Sequence, residues 1–148
     1  MAPKPVIVTS SWFAHVPAGY SRIGISRGTP RGQARFRMHR RLQPGAGTLK
    51  LPNRVFTEHY IREVLQQLDA RETVAELIEL AAGKIPALLC FEHSRSDAWC
   101  HRGIVSAWLQ KTLGIDVPEF GLEQDRCGID HPKLCAEARA FLSDDPGS

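Results

Sequence analysis

Four short apolar runs and four stretches of helical spacing organise the chain. "KPVIVTSSWF" predicts a buried strand over Pro5 to Thr9 that runs into a polar turn. "SRIGISRG" predicts a second strand around Arg22 to Ser26, closed by Arg27 and Gly28. "IPALLCF" is apolar throughout, as a central strand covered on both faces must be. "IDVPEF" predicts a last short strand. Between them, Tyr60, Ile61, Val64, Leu65 and Leu68 recur at helical spacing after Phe56. Asp69 and Glu72 form a capping-box pattern ahead of Val74, Leu77, Ile78 and Ala81, with Gly83 as the stop. A third helix from Trp99 or Cys100 to Leu113 carries Ile104, Val105, Trp108 and Leu109 on one stripe and ends at Gly114. The tail predicts one more helix, with Asp130 as its cap and Leu134, Ala138, Phe141 and Leu142 apolar.

Apolar strands alternating with amphipathic helices predict a single three-layer α/β domain over residues 1–148, Rossmann-like, with a mainly parallel sheet flanked by helices. Two regions stand outside the periodicity. Residues 28–55 form a Gly-, Pro- and Arg-rich loop, long for a compact domain and therefore a functional candidate. Residues 121–148 form a C-terminal extension. In a parallel sheet of this type, ligands bind beyond the carboxyl ends of the strands.

Composition adds a charge asymmetry. The net charge is only +3, yet residues 1–57 hold ten Lys or Arg and no acid, while residues 58–148 hold nine basic and sixteen acidic residues. Arg27, Arg31, Arg35, Arg37, Arg40 and Arg41 fall within one fifteen-residue stretch. Guanidinium forks suit phosphate and carboxylate; the alternative is a solvated face that pairs with the acidic half. No apolar stretch approaches the roughly 18–20 residues of a membrane span. The N-terminus lacks the apolar core of a secretion signal, which predicts a cytoplasmic protein with Cys90, Cys100, Cys127 and Cys135 reduced.

The candidate chemistry gathers in "LLCFEHSRSDAWCHRGIV", Leu88 to Val105, a strand, a loop and a helix start. Free N–H groups and the positive end of a helix converge there, so an anion is chemically reasonable, with Arg102 adding charge and His101 a titratable donor. Cys90 and Cys100 are alternative nucleophiles. However, the spacing from Cys90 to Arg95 is one residue short of a Cys-x5-Arg loop, and buried cysteine is often simple packing. Side chains of adjacent helical residues diverge by about 100°, which argues against a Cys100–His101 pair. The ligand atoms of Cys90, Cys100, His101, Cys127, His131 and Cys135 match no common metal spacing, so no metal is expected. Glu92 is a candidate general base, or an ion-pair partner of Arg27 or Arg102.

Four of these segments, "VTSSWF", "ISRGTPRG", "IPALLCFE" and "CHRGIVSAWL", occur in the order found in the family known as domain of unknown function 488. The chain resembles that family from about Val6 to Val117. The resemblance implies an α/β fold and carries over to Thr9, Ser10, Arg27, Gly28, Pro30, Cys90, Glu92, Cys100, His101 and Arg102. It implies no established activity.

The leading expectation is a site at the strand ends that binds an anionic, phosphate-bearing ligand, either a nucleotide or a nucleic-acid end. Thr9, Ser10, Arg27, Gly28, Pro30, Arg31 and Arg102 would bind it. Hydrolase or transferase chemistry would fall to Glu92 and His101 as acid or base. The alternatives are a cysteine-dependent thiol-transfer, sulfur-transfer or phosphatase-like enzyme acting through Cys90 or Cys100, and a non-enzymatic nucleic-acid-binding module built on the basic loop. The residues name no cofactor and no oligomeric state.

Overall fold

Ile85–Cys90, the longest apolar run, forms β4 and takes the centre of the sheet. Being apolar on both faces, it pairs on both edges without exposing a greasy side. On one edge lies β1 (Val8–Ser11), in register from Val8↔Ala87 to Ser11↔Cys90; on the other lies β2 (Tyr20–Gly24), from Tyr20↔Ile85 to Gly24↔Leu89. A two-residue β3 (Arg37–Met38), inside the stretch without periodicity, pairs with β2. The order is β1-β4-β2-β3 and every pairing is parallel. The computed structural model describes residues 5–28, 37–92, 99–122 and 127–144. With helices flanking this all-parallel sheet, the chain is an α/β protein.

The helices follow from local chemistry. α1 (Asn53–His59) starts after Pro52, whose missing N–H costs nothing at a helix start. It continues through a π turn at Tyr60–Val64 and a 3-10 turn at Leu65–Gln67. α2 (Ala70–Ala81) is capped as predicted, Asp69 Oδ1 accepting from Glu72 N–H at 2.9 Å. It ends where Ala82 and Gly83 both take positive φ. α3 (His101–Leu113) stops at Gly114, φ 67°. Their apolar stripes meet Ile7, Ile23, Ile25, Leu88 and Cys90 in the main core. On the opposite face of the sheet, Val8, Ala87 and Leu89 pack around Trp12.

Two local expectations are corrected. Residues 115–120 form no strand; they make single rungs along the outer edge of β1, where Thr9 N–H donates to Pro118 O and Phe120 N–H to Thr9 O. Pro118 has no N–H with which to extend a ladder. Asp130 caps no helix; it ends a 3-10 turn, and α4 (Ala136–Asp144) starts six residues later, with Cys135 Sγ accepting from Ala138 N–H. No described helix is long and apolar enough to cross a membrane.

Residues 131–135 are bound tightly to the start of α3. Cys100 N–H donates to Lys133 O at 2.9 Å. A Cβ on Gly103 would stand 2.7 Å from Leu134 N and from Lys133 C, which are backbone atoms that cannot rotate away. Gly103→Ala is therefore expected to lower stability by about 1–3 kcal/mol, as overpacking does, measured by urea denaturation. An unchanged midpoint would show that this contact is loose.

Candidate functional site

The carboxyl ends of β4 and β2 and the start of α3 meet at one edge of the sheet, around a cavity of about 330 Å³. Its floor is Cys90 from β4 with Cys100 and His101 from α3; Arg27, Gly28 and Glu92 line it too. Phe56 and Trp99 form an aromatic wall, edge to face at 5.2 Å, and Trp99 Nε1–H donates to Asn53 Oδ1 at 2.9 Å.

Cys100 and His101 do converge, against the expectation drawn from helix geometry. Cys100 is the N-cap of α3 and its backbone is extended, φ −149° and ψ 152°. Its side chain is therefore not spaced 100° around the helix from its neighbour. The Cys100 sulfur lies 3.7 Å from His101 Nδ1. His101 Nε2 lies 2.9 Å from Ile25 O. A carbonyl only accepts, so Nε2 carries the proton and Nδ1 presents a lone pair to the thiol. Tyr60, buried in the π turn, stacks its edge on the imidazole at 5.2 Å and donates to Leu42 O at 2.6 Å.

This arrangement separates the two thiols. Burial pushes Cys100 up, but the Cys90 thiol donating to it, His101 at its side and the Arg102 charge together hold it well below the ordinary thiol range. Its place at a helix start acts in the same direction. Burial and the neighbouring Cys100 push Cys90 well up. His101 is raised despite burial, because the negative Cys100 lies beside it. Glu92 is raised to about 7, by burial first and Cys100 second. These shifts favour the thiolate at Cys100 over one at Cys90, beside an imidazole whose proton affinity is raised and a Glu92 carboxyl that titrates near neutrality.

Arg102 lies behind this site rather than in it. Its side chain is 0% exposed and forms a two-pronged bond with Glu119, Nε to Oε1 at 2.9 Å and NH2 to Oε2 at 2.8 Å. Thr9 Oγ1 donates to Glu119 Oε1 at 2.7 Å and stands 2.7 Å from His131 Nε2. His131 Nδ1 accepts from Lys133 N–H at 2.9 Å, so Nε2 carries that ring's proton towards Thr9. Thr9 and Arg102, expected as ligand contacts, both have internal partners in Glu119. Ser10, on the Trp12 face of β1, is also buried away from the cavity, its Oγ without a partner among the described residues. Pro30 and Arg31 lie outside the described residues. Arg27 and Gly28 are at the cavity, and Arg27 uses one N–H on Pro44 O at 3.1 Å.

Burial holds His131 down to about 4, against the pull of Glu119. An unfolded histidine titrates near 6.5, so below that pH the unfolded chain takes up a proton the folded chain refuses. The stability of the neutral ring is complete above about 6.5 and falls as pH drops towards about 4, by about 3 kcal/mol in all. Urea melts at pH 7 and pH 4.5 are expected to differ more for the natural chain than for His131→Gln. Equal differences would count against a buried neutral ring.

The basic stretch is partly neutralised by α2: His39 Nε2 lies 2.9 Å and Arg41 NH1 3.5 Å from the Glu76 carboxylate. A metal is the other possible occupant of the cysteine–histidine cluster, since donors of Cys90, Cys100 and His101 all lie within 4.8 Å of one another. Cys90 Sγ stands 3.7 Å from Nδ1 and 3.6 Å from Nε2, and Nε2 lies against Ile25 O, which leaves Nδ1 and the two sulfurs as the donors a metal would use.

Asn53, Phe56, Trp99 and Glu119 were not anticipated at the site, and His131 only as one of six possible metal ligands. Glu119 had one signal, a lone acid after proline inside an apolar segment; the others read as ordinary helix or loop positions. No curated protein and no solved structure matches the chain. The family model described as the active DUF488-N3 subclade matches residues 14–113, which span β2, β4, α3 and the whole cysteine–histidine cluster. The chain belongs to the DUF488 family.

Proposed function

We propose that the chain is an enzyme that works through the Cys100 thiolate, with His101 as its base and Arg27 as the cationic contact for an anionic substrate. The observation that carries this reading is the cluster at the cavity floor. A nucleophilic sulfur faces His101 Nδ1, and the opposite ring nitrogen is anchored on Ile25 O. Nucleophile, base and a third group that orients the base are the parts covalent catalysis requires. The third group here is a carbonyl, which fixes the tautomer. Glu92, raised to about 7, is placed to give a proton to a leaving group at neutral pH. The description of the matching subclade as active is in line with catalysis.

The substrate class follows from the walls. A guanidinium on one side and an aromatic pair on the other suit an anion that carries a flat or apolar portion, and the volume matches a small-molecule site.

Alkylation by iodoacetamide, followed residue by residue across pH, tests the reading. Cys100 is expected to react fastest at neutral pH, with a midpoint below the roughly 8.5 of a free thiol. Cys100→Ser is expected to remove the fast phase. A Cys100 that reacts no faster than a free thiol at pH 7 sinks the proposal.

A further inference from the structure

The reading above uses one thiol, but the cavity floor holds two. Cys90 Sγ lies within 4.8 Å of Cys100 Sγ, and both residues line the cavity. Both are free thiols in the structure. A second sulfur beside the nucleophile serves no purpose in acyl or phosphoryl transfer. The backbone donor nearest the nucleophile, Cys100 N–H, is also already committed to Lys133 O and is not offered to an oxyanion.

We infer that the substrate is an anionic disulfide and that Cys90 is the resolving thiol, so that turnover leaves a Cys90–Cys100 disulfide. This deepens the proposed function and rests on Cys100 as the nucleophile. In the first step the Cys100 thiolate attacks one sulfur of R–S–S–R. The Cys100–S–S–R bond forms, the substrate S–S bond breaks, and the departing RS⁻ takes the Nδ1 proton of the His101 imidazolium. In the second step Cys90 attacks Cys100 Sγ. The Cys90–Cys100 bond forms, the second RS⁻ leaves, and it takes the proton that Cys90 gives up. Two electrons pass from the protein thiols to the substrate, which becomes two RSH. An external dithiol returns the protein to its reduced form by the same exchange in reverse.

The geometry matches each role. Cys100, at the helix start and against Nδ1, is the attacking sulfur. Cys90, at the end of β4, remains a protonated thiol until the mixed disulfide places an electrophilic sulfur beside it. The two sulfurs lie within 4.8 Å of one another and must close to the roughly 2.05 Å of a disulfide bond. Arg27 lines the same cavity, where it selects a substrate carrying carboxylates.

The test is to treat the reduced full chain with oxidised glutathione, an anionic disulfide, and in parallel with cystamine, a cationic one. Peptide mapping without reductant follows the products. Oxidised glutathione is expected to yield a Cys90–Cys100 disulfide with loss of two hydrogens from the chain, and faster than cystamine does. Arg27→Ala is expected to erase that preference. Cys90→Ser, or Cys90→Ala if serine is not tolerated in the buried strand, is expected to trap glutathione on Cys100. Fast alkylation of Cys100 with no Cys90–Cys100 disulfide would overturn the inference and leave the nucleophile standing. So would a disulfide through Cys127 or Cys135, or one zinc ion retained per chain that blocks both thiols. Slow alkylation of Cys100 would remove the nucleophile and the inference together.

Discussion

Replacing Arg102 with alanine is expected to cost about 3–5 kcal/mol of folding stability, the penalty for leaving a buried charge without its partner. Arg102 and Glu119 are both 0% exposed, and their two bonds of 2.9 and 2.8 Å satisfy both carboxylate oxygens. Without the guanidinium, the buried Glu119 carboxylate loses the two charge-assisted bonds that neutralise it, while the Thr9 hydroxyl and the His131 ring stay beside it. Native domains are held by about 5–15 kcal/mol, so the loss is a large share of the total. Arg102→Lys is expected to fall between, because one ammonium cannot meet both oxygens as the fork does. Arg102→Met combined with Glu119→Leu is expected to cost less than the two single changes added together, since neither charge is then stranded. Urea denaturation of the five variants, the double change and its two single changes included, reads these differences directly. A loss under about 1 kcal/mol for Arg102→Ala would place the pair in the class of solvated surface bridges.

The second large effect is on reactivity. His101→Gln keeps an N–H for Ile25 O and removes the imidazole, so the Cys100 proton loses its acceptor. With Cys100 returned towards the roughly 8.5 of a free thiol, the thiolate fraction at pH 7 is expected to fall about tenfold or more, and alkylation with it. Turnover of a substrate is expected to fall by about 10²–10⁴, the usual worth of a placed base. The pH profile separates this from a folding defect: the alkylation midpoint should move up while the plateau at high pH is kept. A midpoint that does not move would remove His101 from the proposed mechanism.

Much of the fold was legible because it rests on local regularities. The uninterrupted apolar run at Ile85–Cys90 predicts a central strand, and β4 is central. Asp69, Gly83 and Gly114 act through the backbone of their own helix ends, and each does so where its neighbours predict. The segment at 115–120 was less legible, since Pro118 breaks a ladder that the apolar pattern alone suggests.

The site was legible in part. Arg27, Gly28, Cys90, Glu92, Cys100 and His101 meet at one cavity, and their segments could be picked out from the resemblance and from the strand–loop–helix pattern. Their roles could not. The 100° rule separates Cys100 from His101 only if both are helical, and the extended φ and ψ of an N-cap residue void it. Arg102 carried the signature of an anion-binding residue, but its anion is Glu119.

The amino-acid order dictates periodicity, caps and turns, because each depends on a few neighbouring residues and the fixed geometry of the backbone. It also dictates that a strand, a loop and a helix start carry the reactive side chains to the edge of a parallel sheet. Which of those side chains face one another depends on packing between residues far apart in the chain. Glu119 returns along β1 to occupy Arg102 and Thr9; Lys133 O takes the Cys100 N–H; Ile25 O fixes the His101 tautomer. Those contacts join residues 17 to 110 positions apart. They turn a cysteine-flanked loop into a thiolate facing an oriented imidazole, because burial leaves each polar group only the partners that packing brings within reach.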